Sequence, residues 1–302
     1  MRHAFQKIAR VSFSFLLILL RIIPYPAFRG LARIVFGVMY ALSPKMRRIA
    51  RESLDIAFGS AMSPEEKSRI AKSAYFNLSL GLADVARAAS CPGFADRRFH
   101  FEGRENLDVA LKKGKGAVLC IAHFGPFAAM VYKFIEAGYP VGIVMRPLRN
   151  QYFKDRIMEE GTRQGLNPVY SVPVRGCVLE SLRALEAGRV LFMPVDQNYG
   201  SAGRIFVDFF GRKVGTAPGP VAYALKTGAP VLFAYALPLK TGGFRILIEP
   251  EIPLMKKATD RETLVYNMAV VTSRVEALVR QYPDQWSWMH RRWKAVPKDG
   301  EI

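Results

Sequence analysis

His123 stands at the end of an apolar run in KGAVLCIAHFGPFAAM, where a strand would pass the chain into a loop. Gly125 permits a tight bend there, and Pro126 suits the first turn of a following helix. A histidine at such a junction can act as a general base, taking a proton from a hydroxyl nucleophile, provided one ring nitrogen is accessible. The plainer alternative is an imidazole satisfied by loop carbonyls, and these residues alone leave both open. His3 and His100 have no comparable setting.

A second constellation, Val195-Asp196-Gln197-Asn198-Tyr199-Gly200, follows the apolar run RVLFMP. Open α/β sheets hold their ligands at the carboxyl ends of strands. Asp196 could orient a basic group there, while Gln197, Asn198 and Tyr199 could hold a sugar or phosphate oxygen. A turn in which Asp196 and Asn198 bond their own backbone is the competing reading.

The segment GRIFVDFFGRKVGTAPG, residues 203–219, mixes aromatics with Arg204, Arg212 and Lys213. Phe206, Phe209 and Phe210 either line an acyl channel or fill ordinary core. Thr216 and Gly219 border a helix start whose backbone N–H groups could bind an oxyanion or phosphate. Arg146, after another strand end, is a candidate phosphate clamp, since guanidinium grips phosphate through two hydrogen bonds. Near the end, QWSWMHRRWK sets three tryptophans beside Arg291 and Arg292. That mixture suits headgroup contact at a membrane interface, and equally the stacking of single-stranded nucleic acid.

Short apolar runs alternating with helical stretches must position these groups. The spacing predicts strands over 117–122, 141–145, 168–171, 190–194, 231–236 and 245–248. Helices are expected over 126–137, 152–164, 178–187, 218–226 and 262–280, with further helix across 46–89 before the sheet. Ser63-Pro64-Glu65-Glu66 has the cap, the proline and the acids of a helix start. The expected class is α/β, a central mixed sheet flanked by helices on both faces.

The chain has 302 residues, half of them apolar, and a formal charge of +19. Such a charge favours nucleic acid or an anionic membrane surface. Residues 1–51 hold ten Lys and Arg and no acid before Glu52, interleaved with apolar stretches at 11–20 and 31–42. Each stretch is shorter than the roughly 20 residues that span a bilayer. Together they read as a helical membrane anchor, residues 1–45, that lies along the bilayer or makes one kinked crossing, ahead of a catalytic domain over 46–302. Basic residues on both flanks place that domain on the cytoplasmic side. The lipid-directed start also decides the tryptophan cluster for a membrane, and no nucleic acid is expected. Cys91, Cys120 and Cys177 have neither even pairing nor metal-ligand spacing, so they read as reduced thiols, with no metal and no cofactor implied.

Three blocks in order, FEGRENLDVALKKGKGAVLCIAHFG, VDQNYG with FVDFFGRKVGTAPGPVAYALKTGAPV, and PDQWSWMHRRWK, resemble the lauroyl and myristoyl acyltransferases of lipid A assembly. The resemblance implies a glycerolipid-acyltransferase-like fold at the inner membrane, an acyl-carrier-protein thioester as donor, and a lipid A precursor or related lipid as acceptor. It also implies a histidine followed five positions later by an acid, H-x4-D/E, in which the acid orients the base. His123 matches the histidine; the acid's place is held by Ala128, and no acid stands between Asp108 and Glu136. Asp196 is the expected substitute. Two other readings stay open: an aminolipid or other glycolipid acceptor, and a homologue that binds lipid or carrier protein without chemistry.

Overall fold

The structure, a computed structural model, describes residues 21–147 and 159–297. Among the described residues, three long helices come first. α1 (Tyr25–Ala41) and α2 (Pro44–Phe58) each start at a proline in the first turn. α3 (Pro64–Ser90) begins with a reciprocal cap: the Ser63 hydroxyl accepts from the Glu66 N–H at 3.2 Å, and the Glu66 carboxylate accepts from the Ser63 N–H at 2.9 Å.

The sheet then builds through α4 (Phe94–Arg98), β1 (Phe99–Glu102), α5 (Arg104–Leu111), β2 (Ala117–Ile121), α6 (Phe127–Glu136) and β3 (Val141–Met145). It continues with β4 (Asn167–Tyr170), α7 (Val174–Glu186), β5 (Val190–Pro194), a hairpin of β6 (Ile205–Phe209) and β7 (Arg212–Thr216), α8 (Gly219–Thr227), β8 (Val231–Pro238), β9 (Phe244–Ile248) and α9 (Asp260–Gln281). The main sheet has the order β1-β9-β8-β2-β5-β3-β4. From β8 to β4 neighbouring strands are parallel; β9 turns antiparallel to β8, and β1 runs parallel to β9. The expected mixed α/β sheet is therefore present.

β2 is buried at every residue, as a parallel strand covered on both faces must be. The two-residue alternation divides it between two cores. Val118 and Cys120 join Leu191, Met193 and the helices α7, α8 and α9 on one face. Ala117, Leu119 and Ile121 join Val190, Phe192, α5 and α6 on the other.

β1 and the hairpin are not among the strands predicted from the sequence. The hairpin turns through Phe210 and Gly211, both at positive φ (51° and 71°), rather than through the Asn-Gly pair that advertises such a turn. A side chain at positive φ costs about 1 kcal/mol or more. Packing offsets it: the Phe210 ring meets Phe58 and Trp288, carries the Arg280 guanidinium 4.3 Å above it, and its N–H donates to Glu276. The expected helix at 152–164 lies partly outside the described residues, and residues 159–163 are helical.

At the amino end, α1 turns its polar and aromatic side to α3. Arg29 pairs with Asp84 at 2.8 Å, the Tyr25 hydroxyl donates to the same carboxylate, and the Tyr40 ring packs on Tyr75. Its apolar side, Leu31, Ile34, Val35, Val38 and Met39, is exposed. No helix among the described residues is long and apolar enough to cross a membrane. The stretch 11–20 lies outside the described residues.

Candidate active site

β2 and β5 are parallel neighbours, so their carboxyl ends open side by side, and the residues that follow them meet. His123 Nδ1 lies 2.8 Å from Asp196 Oδ1. The other carboxylate oxygen accepts the backbone N–H of His123 at 2.9 Å and the indole N–H of Trp286 at 2.8 Å. The Asp196 side chain is 1% exposed. Burial alone would raise its pKa; the adjoining His123 imidazole and the hydrogen bonds from His123 and Trp286 outweigh that and hold the carboxyl below its ordinary range. With Nδ1–H donated to this carboxylate, the lone pair of the ring falls on Nε2, the arrangement a general base requires.

The ring is 19% exposed on its side-chain atoms and packs against Phe127 at 4.6 Å between centroids. The side-chain amide of Gln197, itself exposed, stands 3.0 Å from Nε2. Both ring nitrogens are thus occupied, one by a buried acid and one by a mobile-length surface side chain. Two clefts among the described residues lie elsewhere: one is lined by Arg51, Lys67 and Lys72 beside α2 and α3, the other by Gly114 and Lys115 at the amino ends of the strands.

The loop carrying His123 is held from behind by residues 285–287. Gly125 N–H donates to the Gln285 carbonyl at 2.8 Å, Ser287 N–H donates to the His123 carbonyl at 3.1 Å, and Phe124 bridges to Trp286. Gly125 takes φ 50°, a conformation glycine adopts freely. α3 crosses the loop at Gly81, where an added Cβ would lie 2.7 Å from the Pro126 Cα. Ala128 is the second residue of α6, and Asp196, not an acid on that helix, reaches the imidazole.

Arg292 is fully enclosed. It donates to the carbonyls of Gln197 (2.7 Å) and Gly215 (2.8 Å) and to the Thr216 hydroxyl (2.8 Å), with Phe209 beneath its guanidinium. Burial lowers its pKa to about 10. His290 accepts the Asn198 N–H at 2.7 Å, and burial, partly offset by Asp196, keeps its pKa below the ordinary imidazole value. The Asn198 carboxamide oxygen takes the Ala295 N–H, and the Tyr199 N–H donates to Gly215.

Several expectations are corrected by burial. Trp286 and Trp288 are completely enclosed and form the back wall of the site, so they cannot anchor in headgroups. Arg292 and Thr216 brace the frame instead of facing a ligand. Phe209 and Phe210 are packed among Trp286, Trp288 and Trp293, which is the core alternative rather than an open channel. Arg291 and Arg146 are exposed, Arg146 at the end of β3. Arg204 donates to the Gly200 carbonyl and covers Phe206 on the hairpin side. Gly219 opens α8 against Met193 and Tyr223. Sequence reasoning missed the roles of Trp286 and His290; nothing in the local spacing of WSWMH reports a partner some ninety residues away.

An imidazole oriented by a buried carboxylate at the strand ends of an open α/β sheet is the equipment of a group-transfer enzyme that deprotonates its nucleophile. The chain belongs to the bacterial lipid A biosynthesis acyltransferase family, whose sequence model matches residues 5–295. It is therefore an acyltransferase. It is 25% identical over 281 residues to the lipid A biosynthesis palmitoleoyltransferase of Escherichia coli K12, covering 91% of this chain and 87% of that one. Over 285 residues it is 25% identical to the lipid A biosynthesis lauroyltransferase of the same organism, covering 91% and 88%. The 1-acyl-sn-glycerophosphate acyltransferase of Thermotoga maritima superposes with a TM-score of 0.40 at 15% identity, covering 83% of this chain and 97% of that one.

Proposed function

We propose that this protein transfers a fatty acyl chain from an acyl-carrier-protein thioester to a hydroxyl of a lipid A precursor or related lipid, with His123 as the base. The observation that carries the reading is the 2.8 Å contact between His123 Nδ1 and the buried Asp196 carboxylate. The acceptor hydroxyl gives its proton to Nε2 as its oxygen attacks the thioester carbonyl. The carbon–sulfur bond then breaks, and the imidazolium returns the proton to the leaving thiolate. Asp196 stabilises the imidazolium between those steps.

The gap at Ala128 favours a homologue without chemistry when the sequence is read alone. It weighs less here, because Nδ1 already has an acid partner from β5. The exposed stripe of α1, with Arg47, Arg48 and Arg51 on the adjoining α2, supports placement on the anionic cytoplasmic face of the inner membrane.

The test is thioester turnover by the purified, detergent-solubilised chain with a lipid A precursor, beside His123→Ala. Transfer that disappears in the variant supports the reading. Equal transfer by both would overturn the base assignment, and acylated amine as product would move the acceptor to an aminolipid.

A further inference from the structure

At the site, Gln197 combines a clamped backbone with an exposed side chain. Its carbonyl is held by Arg292, and the next N–H, that of Asn198, is held by His290. Both clamps are buried or nearly so, whereas the Gln197 side chain is exposed and ends 3.0 Å from Nε2 of His123. Nε2 is the nitrogen that must receive the acceptor's proton if the reading above holds, so the inference rests on it.

We infer that Gln197 is a resting-state cover for the base: its amide donates to Nε2 until the acceptor hydroxyl displaces it. Acceptor binding and exposure of the base then become one event. The chemical consequence is protection of the donor. An uncovered Nε2 can take a proton from water as readily as from a lipid hydroxyl; water oxygen then attacks the thioester carbonyl, the carbon–sulfur bond breaks, and free acid and thiol leave in place of acylated lipid. Covering Nε2 in the absence of acceptor suppresses that hydrolysis, and Gln197 is by this argument a positioning residue that sets acceptor over water.

Two measurements on the full chain in detergent test this. The first reads the imidazole directly, without activity: carbethoxylation of His123 by diethyl pyrocarbonate, followed by peptide mass spectrometry, with exposed His100 as the internal reference. Gln197→Ala and Gln197→Met should both label His123 about five-fold faster, the factor a single neutral hydrogen bond is worth, with His100 unchanged. The second is the ratio of acceptor-independent thioester hydrolysis to acyl transfer, which should rise in both variants by a similar factor.

Unchanged His123 labelling would overturn the cover, as would wild-type behaviour of the Met variant, which keeps the bulk and lacks the donor. Loss of transfer with no gain in hydrolysis would overturn it too, making Gln197 part of the reaction itself. Failure of the base assignment looks different: His123→Ala would keep its transfer rate whatever the labelling showed.

Discussion

The indole N–H of Trp286 and the backbone N–H of His123 donate to the same oxygen of Asp196, at 2.8 and 2.9 Å, leaving the other oxygen to the imidazole. A carboxylate so enclosed has one orientation, and that orientation sets the tautomer of the ring.

Asp196→Asn should leave the fold intact and lower acyl transfer by on the order of 10³–10⁴, as loss of the orienting carboxylate does in the serine-protease triad. Steady-state turnover with the circular dichroism spectrum as a control decides it. A variant within ten-fold of wild type would remove Asp196 from the base's support.

Trp286→Phe removes one of the three donors and little volume. The expected outcome is a stability loss of about 1.5–3 kcal/mol, the worth of one hydrogen bond to a charged group, since that oxygen keeps only the His123 N–H; it is read from urea unfolding, with a fall in kcat larger than any change in KM.

Arg292 has no acid within ion-pair distance among the described residues and donates to three protein oxygens. Arg292→Met should destabilise the chain by roughly 2–4 kcal/mol, because three charge-assisted hydrogen bonds are lost and the Gly215 carbonyl keeps only the Tyr199 N–H. Lysine should not rescue it, since a point charge cannot reproduce the planar fork.

Asp84 ties α1 to α3. Burial, against the opposing pull of Arg29 and Tyr25, raises its pKa from 3.8 to about 6. Between those values the folded protein keeps a proton that the unfolded chain has released, so the contribution of Asp84 to stability falls as pH rises from about 4 and is fully lost above about 6. The size is on the order of 3 kcal/mol. Urea midpoints of wild type and Asp84→Asn should therefore diverge with pH across that window and run parallel above it.

Ile34→Glu and Val38→Glu place charge on the exposed stripe of α1, away from its contacts with α3. Cosedimentation with anionic phospholipid vesicles should weaken about ten-fold or more for each, the equivalent of losing a buried aliphatic side chain. Turnover in detergent should hold. Unaltered vesicle binding would take α1 out of the membrane interface.

The strands at 141–145 and 190–194 were legible to the residue, and that at 117–121 nearly so, because parallel strands inside a sheet covered by helices are near-continuous apolar runs. His123 and Asp196 were legible as strand-end groups for the same reason: the polar residue that ends such a run stands where the sheet opens. Their contact was only a conjecture from the empty place at Ala128. It depends on β2 and β5 being neighbours, a choice made by packing across 73 positions of sequence. Tryptophans beside arginines looked like a membrane belt, since composition carries no record of which side is covered; the fold turned Trp286 and Trp288 inward and left the stripe on α1 outside. Local spacing thus encoded the elements and the ends at which chemistry could sit, because neighbours in sequence alone set periodicity. Which acid meets which base, and which apolar face stays uncovered, was decided by tertiary structure, because those contacts join segments that no local pattern connects.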